Sequence, residues 1–137
     1  MSTVQTLRIA KITTLVILTA LALGCGYSSK ATPPTAGSVP TISQLSPASM
    51  KAGSAAFMLT VNGTNFSGKA IVNWNNSAQS TTVISTNQLT VAVPASAIAA
   101  SGTVAITVTN PATPGTGMYG SGGTTAETSS PVSFTID

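Results

Sequence analysis

From Thr41 onward the apolar and polar positions alternate with a period of two. Phe57, Leu59 and Val61 alternate with Met58 and Thr60, and Leu89, Val91 and Val93 with Thr90 and Ala92. Val104, Ile106 and Val108 alternate with Ala105, Thr107 and Thr109, and Val132, Phe134 and Ile136 with Ser133 and Thr135. Successive side chains of a strand point to opposite faces, so each run predicts a strand with one buried and one solvated face. Val72 with Trp74, and Val83 beside Ile84, predict two shorter strands; Ile42–Ser46 predicts a first strand, stopped at Pro47. Pro94–Ser101 breaks the period, and its alanines predict a single helical turn with Ile98 pointing inward and Gly102 ending it. Six or seven short strands between Thr41 and Asp137, with no long helical pattern, imply an all-β domain of two packed antiparallel sheets.

Upstream of the alternation the pattern is different. Arg8 and Lys11 precede an uncharged apolar run, Ile12–Leu23, which ends in Ala22-Leu23-Gly24-Cys25. Twelve residues are too few to span a bilayer, which takes about 20, but they suit the apolar region of an export signal. The junction resembles the lipobox of bacterial lipoproteins, in which a small residue precedes the cysteine as Gly24 does. The family prefers Leu three residues before the cysteine, where this chain has Ala22, with Leu21 one residue further back. The resemblance implies that residues 1–24 are removed and that Cys25 becomes a lipidated N-terminus. Two or more acyl chains hold a protein stably at a membrane, whereas one holds it marginally. Gly26, rather than Asp, follows the cysteine, which by the same resemblance directs the protein to an outer membrane where the cell has one. The alternative is a secretory cut after Ala22, since Ala20-Leu21-Ala22 also fits the small-x-small pattern, giving a secreted protein.

Residues 25–40 then read as the lipidated cysteine and a solvated spacer, polyproline-like around Pro33-Pro34. The domain proper is expected over residues 41–137.

Charged residues make up 5% of the chain, against roughly 25% in ordinary soluble domains. The formal net charge of +3 includes Arg8 and Lys11. Without them Lys30, Lys51 and Lys69 face Glu127 and Asp137, and three minus two leaves +1. Nucleic acid requires clustered Lys and Arg, so no nucleic-acid partner is expected.

With one cysteine and no histidine, an internal disulfide and a Cys/His metal site are both excluded. General acid–base and nucleophilic catalysis need a His, paired carboxylates or an activated Ser or Cys. The two carboxylates, Glu127 and Asp137, have no partner at a fixed spacing, and two carboxylates do not make a calcium site. The expectation is a non-enzymatic protein with no cofactor and no metal. Asn62-Gly63-Thr64, Asn65-Phe66-Ser67 and Asn75-Asn76-Ser77 match the N-glycosylation sequon and read here as turn chemistry.

Several stretches, in order, resemble the IPT/TIG family of immunoglobulin-like domains. They are Pro40-Thr41-Ile42 with Leu45-Ser46-Pro47; Gly53; Leu59-Thr60-Val61-Asn62-Gly63-Thr64-Asn65-Phe66; Val72-Asn73-Trp74-Asn75; Leu89–Pro94; Gly102 leading into Val104–Asn110 and Pro111; and Ser133–Ile136. The resemblance covers Pro40–Asp137 and implies an immunoglobulin-like two-sheet sandwich of the E-set type. Within it Gly63 is expected to take a backbone shape that other residues resist, and Phe66 to fold into the core.

Ala112–Ser130 is longer and richer in Gly and Thr than the short turn usual before the last strand. It is expected to be a low-complexity insertion with little to bury. The functional expectation is a membrane-anchored display module that binds another envelope or surface protein or serves a structural role. The alternative is a glycan-binding lipoprotein with Trp74 or Tyr119 as the stacking platform. Trp74 shares a face with Val72, which favours a core role instead.

Overall fold

The computed structural model describes residues 32–117 and 122–137. The signal segment, Cys25 and Tyr119 lie outside the described residues.

The strands are β1 (Thr41–Ser46), β2 (Ser49–Met50), β3 (Phe57–Thr64), β4 (Ile71–Trp74), β5 (Ser77–Ala78), β6 (Thr81–Ser85), β7 (Gln88–Val93), β8 (Gly102–Asn110), β9 (Glu127–Thr128) and β10 (Val132–Ile136). One sheet has the order β1-β3-β7-β6, and the other β2-β10-β8-β4-β5 with β9 also on β8. The described residues contain no α-helix, only a 3-10 turn over Ala95–Ile98 that drives Ile98 fully out of solvent. The period-two pattern thus gives the expected all-β, immunoglobulin-like sandwich.

Register explains why each alternation works. Leu59 pairs with Val91 and Val61 with Leu89 in the first sheet; Val72 pairs with Val108 and Trp74 with Ile106 in the second. All eight are buried, and the two inward faces meet as one core. Burying each such side chain contributes about 1.5–3 kcal/mol, and with no disulfide the domain depends on that sum. Phe134 stands at its centre. Its ring stacks on Phe57 of the opposite sheet at 5.8 Å and meets Trp74 at 5.2 Å with a 54° tilt.

Two features depart from the expectation of a wholly antiparallel sandwich with a free spacer. Strand β2 runs parallel to β10, through Ser49↔Thr135 and Met50↔Ile136. The chain changes sheets between Ser46 and Ser49, so β2 reaches β10 from the other layer, free of the hairpin geometry that enforces antiparallel pairing. The last part of the spacer is also docked. Thr35 forms a parallel bridge with Thr124, and Pro40 is buried.

The segment after β8 departs further from its reading as an insertion with little to bury. Strand β9 pairs Thr128 with Thr109 and Glu127 with Asn110, and Thr113 bridges Thr124. Ser129 is buried: its backbone N–H donates to the Val108 carbonyl at 2.8 Å, and its Oγ accepts from the Val108 N–H at 3.0 Å. These bonds run through main chain, Thr and Ser, which leave no apolar period to read.

Candidate functional site

The described residues form an open cleft of about 660 Å³ at one end of the sandwich. Its walls come from the spacer (Gly37, Ser38), the turn after β3 (Asn65), the β6–β7 turn (Asn87), the end of β8 (Asn110) and the segment before β9 (Thr124). The volume suits a small ligand, and no charged residue lines the cleft.

Most of its amide groups are already engaged in holding the fold. Asn110 is 6% exposed. Its Nδ2 donates to the carbonyls of Asn65 at 2.7 Å and Ser38 at 2.8 Å, and its Oδ1 accepts from the Ser67 N–H at 2.9 Å. One side chain thereby ties the spacer, the β3–β4 connection and β8 together. Asn87 closes the β6–β7 turn onto β3: its Nδ2 donates to the Gly63 carbonyl, and its own carbonyl accepts from the Gly63 N–H. Asn65 donates to the Val39 carbonyl at 3.3 Å. Among the described residues no buried side-chain N or O lacks a partner. The cleft end is therefore first a clasp, and few of its polar atoms remain for a ligand.

The Asn-Gly-Thr-Asn-Phe run at this end behaves differently from expectation in one respect. Asn65, at φ 61°, takes the left-handed conformation, and Phe66 folds inward to 2% exposure. Gly63 does not take a positive φ; it is needed for close approach. A Cβ there would collide with the Thr41 carbonyl oxygen and come within 2.6 Å of Phe66 Cζ. The asparagines of the three sequons divide similarly. Asn65, Asn75 and Asn76 have positive φ, as turn residues do, but Asn62 lies within β3 and accepts from Gln88 Nε2 at 3.1 Å.

Trp74 is 7% exposed, packed on Phe134, and so presents no face on which a sugar ring could stack. That removes one of the two platforms proposed for glycan binding; the other, Tyr119, lies outside the described residues. Groups of three or more His, Cys, Asp or Glu that would hold a metal do not occur among the described residues. Glu127 is engaged locally, its Oε1 accepting from Thr125 Oγ1 at 2.8 Å.

The other surface of interest is the outer face of the four-stranded sheet. Ser46 pairs with Thr60, Thr60 with Thr90, and Thr90 with Thr82, making a row of hydroxyls across all four strands. Beside it Gln44, Asn62 and Gln88 form an amide row. No strand of this sheet carries a charged residue, and Met58 and Ile84 are each 56% exposed. Sequence pattern alone marks Met58, Thr60 and Thr90 as outward-facing. Asn110 and Ser129, in contrast, carry no periodic signal; Asn110-Pro111 at a strand end is the available cue.

Comparison with curated proteins and with solved structures finds no match. The family model described as the IPT/TIG domain matches residues 40–136, spanning both sheets, the Asn-Gly-Thr-Asn-Phe turn and the closing strand, and the chain belongs to that family of immunoglobulin-like interaction modules.

Proposed function

We propose that the protein is a non-enzymatic envelope lipoprotein that displays an immunoglobulin-like module for binding another envelope or surface protein. The uncharged hydroxyl and amide face of the β1-β3-β7-β6 sheet carries this reading. Ordinary surfaces intersperse charges of both signs, and a face without them is easily desolvated against a partner. The N-terminal run ending in Gly24-Cys25 supports attachment to the membrane by lipid on Cys25, to the outer membrane where the cell has one. The absence of any His, and the separation of Glu127 from Asp137 in sequence, support a binding rather than a catalytic role.

The test is a pull-down of envelope proteins with the soluble domain, repeated with photo-crosslinkers at Thr60 and Thr90. Discrete adducts at these two positions, missing when the label is moved to Ser133 on the opposite sheet, support the reading. Capture that is unchanged by position, or no adduct at all, contradicts it.

A further inference from the structure

Thr124 sits in the middle of three extended segments. On one side it pairs antiparallel with Thr113, the two residues exchanging N–H···O bonds of 3.1 Å. On the other side the chain before β1 runs parallel to it: the Thr35 N–H donates to the Gly123 carbonyl at 2.9 Å, and the Thr125 N–H donates to the Thr35 carbonyl at 3.0 Å. The same strap continues along the cleft. The Gly37 N–H reaches Thr125 Oγ1 at 3.4 Å, and the carbonyls of Ser38 and Val39 accept from Asn110 and Asn65. A side chain at position 37 has no room, because a Cβ would stand 2.6 Å from the Thr125 carbonyl oxygen and 3.0 Å from Glu127 Cγ.

What holds the strap is main chain, with hardly any buried side chain. Thr35, Ala36, Ser38 and Val39 are all exposed, and only Pro40 is buried. Contacts of this kind open locally at far lower free energy than the core does. Once open, they leave the Gly123 carbonyl and the Thr125 N–H as an unpaired strand edge beside two donating amides. We infer that the Gly123–Thr125 edge, with Asn65 and Asn110, is a strand-acceptor site occupied in cis by Thr35–Val39, and that its ligand in trans is an extended, uncharged peptide segment. The strap itself defines that ligand: a residue pairing in parallel with Thr124, then a glycine two residues on, then two carbonyls presented to the amides. Recognition through main-chain bonds, with specificity from one small-residue position, is the physics of strand addition.

The experiment uses the full chain in three forms: wild type, Gly37→Val and Thr35→Pro. The first substitution forbids the close approach, and the second removes the N–H bonded to Gly123. Amide exchange at Thr125 is followed by NMR together with that of Val61 and Val91 in the core. Each form is then titrated with a synthetic peptide of residues 32–40 and with the same peptide carrying valine for its glycine. In both variants Thr125 exchange should rise at least about tenfold, with the core amides unmoved. Both variants should bind the native peptide at least about tenfold tighter than wild type, whose tethered strap competes at an effective concentration of about millimolar. The valine peptide should bind none of them. A Thr125 amide that stays protected in both variants overturns the inference. So does a freed Thr125 edge that fails to take the native peptide, or one that takes the valine peptide equally well.

Discussion

Replacing Asn110 by alanine should destabilise the domain far more than its position at the end of a strand implies. The side chain makes three hydrogen bonds, to the carbonyls of Ser38 and Asn65 and from the Ser67 N–H, and is 6% exposed. Each bond contributes about 0.5–1.5 kcal/mol net, and a partner left unsatisfied in a buried setting costs about 1–3 kcal/mol. The three bonds are only part-buried. Water reaching them offsets part of the loss, and the expected net effect is about 2–3 kcal/mol. For a domain of this size 1 kcal/mol moves the thermal midpoint by about 4–8 °C, so the midpoint should fall by about 8–24 °C. Urea unfolding of wild type, Asn110→Ala and Asn110→Asp gives the same quantity without heating. Asn110→Asp is the sharper control. It keeps the acceptor for Ser67 but turns an oxygen toward two carbonyls that now lack a donor, so it should be at least as unstable as the alanine variant at neutral pH. An Asn110→Ala change within about 0.5 kcal/mol of wild type, the range of ordinary surface substitutions, would refute the reasoning. So would an aspartate variant as stable as wild type.

Other substitutions test separate parts of the fold by the same unfolding measurement. Ile106→Ala should cost about 2–5 kcal/mol, while Thr107→Ala, which removes one acceptor of Asn73 on the outer face, should cost under about 1 kcal/mol; the reverse order would mean the β8 register is inverted. Gly63→Ala should destabilise by about 1–3 kcal/mol through collision with Thr41, whereas Gly68→Ala, with nothing within 4 Å of its added Cβ, should be neutral or slightly stabilising. Replacing residues 116–122 by a short Gly/Ser turn should leave the midpoint nearly unchanged. Extending the replacement to Thr128 removes Thr124 and β9, and should lower the midpoint clearly; equal midpoints for the two replacements would show that these pairings contribute nothing.

The sandwich was legible because its information is periodic. Leu59 and Val61, Leu89 and Val91, or Ile106 and Val108 announce both a strand and its buried face, and Ile98 stands out within an alanine-rich break. The clasp was not legible, because its bonds carry no period and span long separations. Asn110 meets Asn65 across 45 positions and Ser38 across 72, and nothing in the sequence sets it apart from the chain's other asparagines. The docked strap was hidden for the same reason: Thr35–Val39 looks like spacer because it is held by main chain. Gly63 was legible as a constrained residue but not for its cause, since close approach to Thr41 depends on where β1 lies. Trp74 was legible both as aromatic platform and as core. Its shared face with Val72 favoured the core, where the structure places it.

The most direct test of the proposed role is metabolic labelling with a fatty-acid analogue in a host that processes lipoproteins, followed by membrane fractionation of wild type and Cys25→Ser. The account predicts labelled, membrane-bound wild type and an unlabelled Cys25→Ser protein released from the mature membrane pool, with the same unfolding midpoint for the domain in both. Equal labelling of the two proteins, or wild type recovered unlabelled after cleavage at Ala22, would contradict it.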